Sequence, residues 1–306
     1  MSAYAPALAD AAGDSGLSWN PVTDISQMWQ YPFMVNAFRA GAVVAVLAGV
    51  IGWFMVLRRQ SFAGHTLALV GFPGASAAVL LGVSVSYGYF GFCVAAAVVL
   101  AVAGGRRALD SGLAGESALT GTVQAFLLAC GLLFAALAKG FLEDTVNGLL
   151  FGSFLGITVG QVLLLAVVAA VVLGVLAVIG RPLLFASVDP EVAAARGVPV
   201  RFLSALFLVL LGAAAAETSQ ITGALLVFAL LVMPAATAQV LTARPALSLV
   251  VTVAIGVLVT WAALTVAYYS PYPIGFYVTT FAFAGYVIAQ ISTKAVPWLR
   301  AARSLS

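Results

Sequence analysis

Two side chains in this sequence could do chemistry in surroundings that otherwise offer none. His65 is the only histidine. It follows the pair Arg58-Arg59 and opens an uncharged run, Thr66 to Gly82, broken by Pro73-Gly74. A neutral imidazole suits zinc, copper, iron or nickel better than calcium or magnesium, so His65 is a candidate transient metal ligand or gate. The plainer reading is an imidazole that caps or packs near the lipid interface and bonds a carbonyl. One histidine alone is not a binding site, because structural zinc is held by a full tetrahedral ligand set and catalytic zinc by only one fewer.

The second is Glu217, in "GAAAAETSQITGALL". A carboxylate inside an apolar span is costly unless it is paired or wet, and such residues mark ion paths by default. Thr218, Ser219, Gln220 and Thr222 follow it. Oxygen-bearing side chains at a helix break would suit a cation vestibule. The plainer reading leaves Glu217 in water on an outer turn. Glu143 and Asp144, beside Lys139, could gather cations or meet a delivery protein, or be an ordinary solvated loop. Cys93 and Cys130 both sit in apolar runs and read as small core residues. There is no phosphate-binding G-x-x-x-x-G-K-[ST], no H-E-x-x-H and no G-x-S-x-G, so ATP chemistry of the P-loop type, zinc proteolysis and serine hydrolysis find no support.

The elements that must position these residues follow from composition. The chain has 306 residues, is 63% hydrophobic and only 8% charged. A soluble domain carries roughly 25% charged residues. The long uncharged runs require an all-α polytopic membrane protein, because only helices satisfy their own backbone in lipid over ~20 residues. Charge, proline and glycine mark about nine spans, near 34–57, 62–82, 88–104, 118–138, 157–179, 202–219, 221–240, 246–268 and 274–293. The short, Gly/Pro-broken ones are the type that lines transport paths.

With the N-terminus outside and the C-terminus inside, Arg58, Arg59, Arg106, Arg107, Arg181, Arg196, Arg201, Arg244, Lys294, Arg300 and Arg303 are cytoplasmic. Only Arg39 and Lys139 of the 13 basic residues are left outside. The positive-inside rule selects that orientation. Residues 1–30, with Asp10, Asp14 and Asp24, form an acidic outer tail without the features of a signal peptide. Residues 31–296 form the membrane domain, and 297–306 a basic cytoplasmic tail. The net charge of +3 is explained by topology and gives no reason to invoke nucleic acid.

One cytoplasmic stretch is too regular for a loop. Asp189 suits an N-cap, Pro190 the first helical position and Glu191 the positive helix end. Arg196 suits the opposite end, and Gly197 terminates. The result is a capped helix of about two turns near 189–197, too short to persist in water without neighbours.

This stretch, "VDPEVAAARGVPV", resembles the coupling-helix loop of the metal-ion permeases of bacterial ABC importers, which move zinc, manganese or iron. "YPFMVNAFRAG" at 31–41 is similar to the family's first-helix entry, "LRRQSFAGHTLALVGFPG" at 57–74 to its second-helix motif, and "GALLVFALLVMPAATA" at 223–238 to its seventh-helix motif. "LLFGSFLGIT" at 149–158 is similar to a Leu-Phe-Gly element. The anchors keep family order from about 31 to 293. The family's second helix carries an aspartate and, four residues on, a histidine. Here those positions hold His65 and Leu69, so a polar pair one turn apart has become one imidazole and one apolar group.

The resemblance implies a permease subunit, one half of a homodimeric channel, in the bacterial plasma (inner) membrane and in contact with lipid. It implies a cytoplasmic ATP-binding subunit seated on Asp189, Pro190, Glu191, Arg196 and Gly197, and an extracytoplasmic metal-binding protein. No cofactor is expected on this chain. ATP is used by the partner, and the cargo is a divalent transition metal, with zinc favoured over manganese or iron. His65 and Glu217 would touch it transiently; Pro73, Gly74, Gln220 and Pro234 would shape the path, Pro234 by kinking its helix. The alternatives are a permease for iron–siderophore or vitamin cargo, a proton-coupled secondary metal transporter with His65 and Glu217 as carriers, and a scaffold that transports nothing. Epitope tags test the orientation: an N-terminal tag on intact cells is expected to be antibody-accessible and a C-terminal tag protected. The reverse pattern refutes it.

Overall fold

A computed structural model describes residues 28–107, 112–138, 157–223, 227–270 and 272–303. The acidic tail before residue 28, the Lys139-Glu143-Asp144 segment and most of the Leu-Phe-Gly element lie outside the described residues. The helices are α1 Pro32–Leu57, α2 Ser61–Leu81, α3 Val85–Arg107, α4 Gly112–Leu137, α5 Val159–Val188, α6 Pro190–Ala195, α7 Val200–Thr222, α8 Val227–Leu241, α9 Pro245–Tyr268 and α10 Ile274–Arg303. Eight are long and apolar enough to cross a membrane, and α8 is a shorter apolar helix. These nine correspond to the nine expected spans.

The boundaries differ where apolar sequence continues past a charge. α5 was expected to end near 179 but runs through Arg181 and Pro182 to Val188. Arg181 lies exposed on its surface, where a long cationic side chain can reach polar surroundings without ending the helix. Its other end carries a capping box: the Gln161 N–H donates to Thr158 Oγ1, and the Thr158 N–H to Gln161 Oε1. α10 likewise continues through the basic segment to Arg303.

α1, α2 and α7 are the most enclosed spans, and α4, α5 and α10 are largely exposed. α2 packs on α3 and α4; α7 on α3, α2, α5 and α1; α1 on α9, α8 and α5; and α10 on α8 and α9. Outward side chains such as Phe126, Val171, Val178, Leu258, Phe283 and Ile288 are exposed.

Lipid tails are as apolar as leucine, so close packing and interhelical hydrogen bonds hold such a bundle together. Small residues supply the packing. A Cβ at Gly74 would strike the Gly88 carbonyl oxygen, and one at Gly88 would strike that of Gly74, so α2 and α3 touch backbone to backbone. A Cβ at Gly131 would lie 2.9 Å from Pro73 Cα, which brings α4 onto the same point. The Pro73-Gly74 break, expected to shape a pathway, therefore sits at a three-helix contact. α2 remains one helix through it. Gly52 meets the Leu231 backbone, and Gly212 meets that of Cys93. Hydrogen bonds add register. Trp53 Nε1 donates to Ser248 Oγ at 3.0 Å, Gln239 Nε2 to the Trp53 carbonyl at 3.2 Å, and Thr66 Oγ1 to Gln124 Oε1 at 2.8 Å.

This packing predicts a contrast between two glycines of α3. Gly88→Ala is expected to destabilise the detergent-solubilised protein by about 1–3 kcal/mol through overpacking. Gly91→Ala, where an added Cβ meets nothing within 4 Å, is expected to leave it unchanged. Thermal unfolding followed by fluorescence measures both, and equal effects refute the α2–α3 contact.

Candidate functional site

Glu217 lies inside α7, not on an outer turn. The helix continues to Thr222 and breaks at Gly223, whose φ of 77° lies in the left-handed region that suits glycine. The Glu217 side chain is fully buried, and neither carboxylate oxygen has a hydrogen-bond partner among the described residues. Among the described residues, none of Thr218, Ser219, Gln220 and Thr222 bonds the carboxylate. Thr218 Oγ1 donates to the Ala214 carbonyl, and Thr222 Oγ1 to that of Thr218, each one turn back on the same helix. Ser219 Oγ donates to the Ala68 carbonyl of α2 at 3.4 Å. Gln220 Oε1 accepts from Ser86 of α3 at 2.8 Å. The polar cluster ties α7 to α2 and α3 and leaves the carboxylate to itself.

His65 sits in the second turn of α2. Its ring meets Phe228 of α8 edge-on at 4.8 Å, and its Nδ1 is buried without a hydrogen-bond partner among the described residues. Among the described residues no carbonyl accepts from that nitrogen, although the ring does pack against its neighbour. No hydrogen bond joins His65 to Glu217. Among the described residues, no three of His, Cys, Asp and Glu gather into a ligand set. Pro234 is buried in α8, which continues through it. A cleft of about 610 Å³ between α2, α3 and α4, lined by Gly74, Tyr87, Phe92, Phe126 and their neighbours, is almost wholly apolar and contains neither residue.

The element at 189–197 forms as its caps require. Asp189 ends α5 and begins α6, so one residue is the whole joint between them. Its carboxylate accepts from the Val192 N–H at 3.0 Å. Pro190 opens the helix, and Glu191 lies in its first turn. Arg196 is the C-cap, and Gly197 follows at φ 80°. The Val198 N–H reaches back to the Ala193 carbonyl at 3.0 Å, closing a Schellman turn. Ala193 is completely buried, whereas Glu191, Val192 and Arg196 are exposed. One alanine anchors a short helix whose remaining faces are open.

Sequence reasoning placed Arg58 by topology and within the second-helix motif, and missed its contacts. Its guanidinium donates from Nη1 to Ser187 Oγ at 3.0 Å, from Nη2 to Ser204 Oγ at 2.6 Å and from Nε to Gln60 Oε1 at 3.3 Å. The Phe207 ring centroid lies 5.4 Å from its central carbon. An arginine beside a span end signals orientation, and nothing in its neighbourhood announces partners more than a hundred residues away.

Residues 30–293 match the ABC 3 transport family. The chain is 29% identical over 70% of its length, and 74% of the other protein, to the manganese transport system membrane protein MntC of Listeria innocua. It is 30% identical over 75% of its length, and 76% of the other, to the chelated iron transport system membrane protein YfeC of Yersinia pestis. Its fold superposes with a TM-score of 0.77 on a chain of PsaBC from Streptococcus pneumoniae in complex with Fab, at 24% identity, covering 88% of this chain and 94% of that one. The ordered motifs and the match over most of the sequence converge: the chain belongs to the ABC 3 transport family.

Proposed function

We propose that this chain is the membrane permease of an importer that moves divalent transition metal ions across the bacterial plasma membrane, driven by a separate ATP-binding subunit. The observation that carries this reading is the family match across 30–293. The open faces of α6 support it: a capped helix held by one buried alanine is suited to sit in a groove of another protein. The positive-inside count gives α6 a cytoplasmic position, where ATP is available. A second copy of the chain would complete the channel, and an extracytoplasmic binding protein would deliver the ion.

Glu217 and His65 are the groups on this chain that would meet the cargo. A buried carboxylate without a donor is unfavourable in isolation and would be stabilised by a passing cation. Transient contact is what conduction requires, since an ion held tightly does not leave. The preference for zinc rests on His65. The relatives above are named for manganese and for chelated iron, so manganese and iron stand beside zinc as candidates.

Uptake of radioactive zinc and manganese into cells with and without the gene tests the class and separates the ions. ATP-dependent uptake of at least one is expected. Uphill transport by the chain alone in liposomes would instead favour a proton-coupled carrier. Glu217→Gln, which keeps the shape and removes the charge, is expected to lower uptake about tenfold or more at unchanged membrane levels; unaltered uptake removes Glu217 from the path. Gly197→Pro, which cannot adopt the positive φ at the end of α6, is expected to abolish uptake while insertion persists. Normal uptake would refute the coupling role.

A further inference from the structure

Arg58 joins three parts of the chain that the connectivity keeps apart. Ser187 lies in the last turn of α5, immediately before α6, and Ser204 in the second turn of α7, shortly after it. One guanidinium holds both hydroxyls, at 3.0 and 2.6 Å, and so closes the base of the hairpin that carries α6. Ser187 is itself fixed, since its hydroxyl donates to the Leu183 carbonyl one turn back. The planar fork of arginine can serve two acceptors in fixed directions at once, which a lysine ammonium cannot reproduce.

The other end of this contact is the joint between α1 and α2. Arg58 caps α1. Arg59 follows at φ 57°, a left-handed conformation that an L residue adopts only at a cost in strain. The Gln60 N–H reaches back to the Met55 carbonyl at 3.0 Å, and α2 begins at Ser61. Phe207 packs against Arg58 on one side and lies 6.3 Å from the Phe54 ring, centroid to centroid, on the other. α1 therefore ends in a tight turn held against α7, and the next helix carries His65 in its second turn.

We propose that Arg58 is the positioning residue that ties the α6 hairpin to the α1–α2 joint, so that a displacement of α6 is delivered to the helix bearing His65. The inference rests on the importer reading above and adds to it a specific route.

The test uses the permease with its ATP-binding subunit in proteoliposomes, with Mn²⁺ and Zn²⁺ as probes. ATP hydrolysis and ion uptake are measured on the same preparation. Arg58→Lys keeps the positive charge and hence the orientation signal. It is expected to lower uptake about tenfold, as for loss of a charge-assisted hydrogen bond, while hydrolysis stays within about twofold of wild type. The double variant Ser187→Ala/Ser204→Ala, which leaves Arg58 in place, is expected to uncouple in the same way. Combining it with Arg58→Lys is expected to add little, because the residues act as one unit. Uptake and hydrolysis that fall in proportion, full activity in either variant, or fully additive losses would each overturn the proposal. If the wild-type complex shows no ATP-dependent uptake, the importer reading fails and this inference falls with it. If the wild type transports and the variants do not uncouple, only this inference fails.

Discussion

A helix inside a bilayer gains almost nothing by exchanging lipid for another apolar helix, so the bundle depends on how closely backbones can approach. Here that approach is concentrated at a few small residues. Gly74 against Gly88 brings α2 and α3 together, Gly131 seats α4 on Pro73, Gly52 admits α8 to α1, and Gly212 admits α3 to α7. Three of these contacts lie on α2 or α7, the helices that carry His65 and Glu217. The few interhelical hydrogen bonds, such as Trp53 to Ser248, then select one register among the sliding arrangements that small residues would otherwise permit.

The same scaffold separates two kinds of polar group. Threonine and serine on α7 satisfy themselves one turn back or on the α2 backbone, a local solution that leaves the helix intact. Glu217 has no equivalent. A carboxylate cannot donate, and its lone pairs have no N–H or O–H within reach among the described residues. The contrast between satisfied hydroxyls and an unsatisfied acid on one helix is what singles out Glu217, more than its presence in a span.

The spans were legible because lipid forces each crossing to be a self-satisfied apolar helix, and each of the nine apolar runs corresponds to an apolar helix among the described residues. The capped α6 was legible because caps are short-range: Asp189, Pro190 and Gly197 act within a few residues of one another. The setting of Glu217 was not. Its Thr-Ser-Gln neighbourhood reads equally well as a turn, and only the tertiary position of α7 shows Glu217, Thr218 and Ser219 to be buried. Pro73-Gly74 read as a break because the partners that make it a contact, Gly88 and Gly131, are remote in sequence. Arg58 was hidden for the same reason: its hydroxyl partners are 129 and 146 residues away.

One dimension of the fold has a consequence for the membrane around it. The described part of α8, Val227–Leu241, has 15 residues, a rise of about 22 Å, whereas the hydrocarbon layer is about 30 Å thick. A helix this short in contact with lipid would suffer hydrophobic mismatch and have to thin the bilayer around itself. It avoids that because α1, α9 and α10 surround it, and among its residues only Leu241 is exposed. The described stretch of α8 is thereby kept from the acyl chains, so a change in membrane thickness would act on the outer helices and leave this one unstrained.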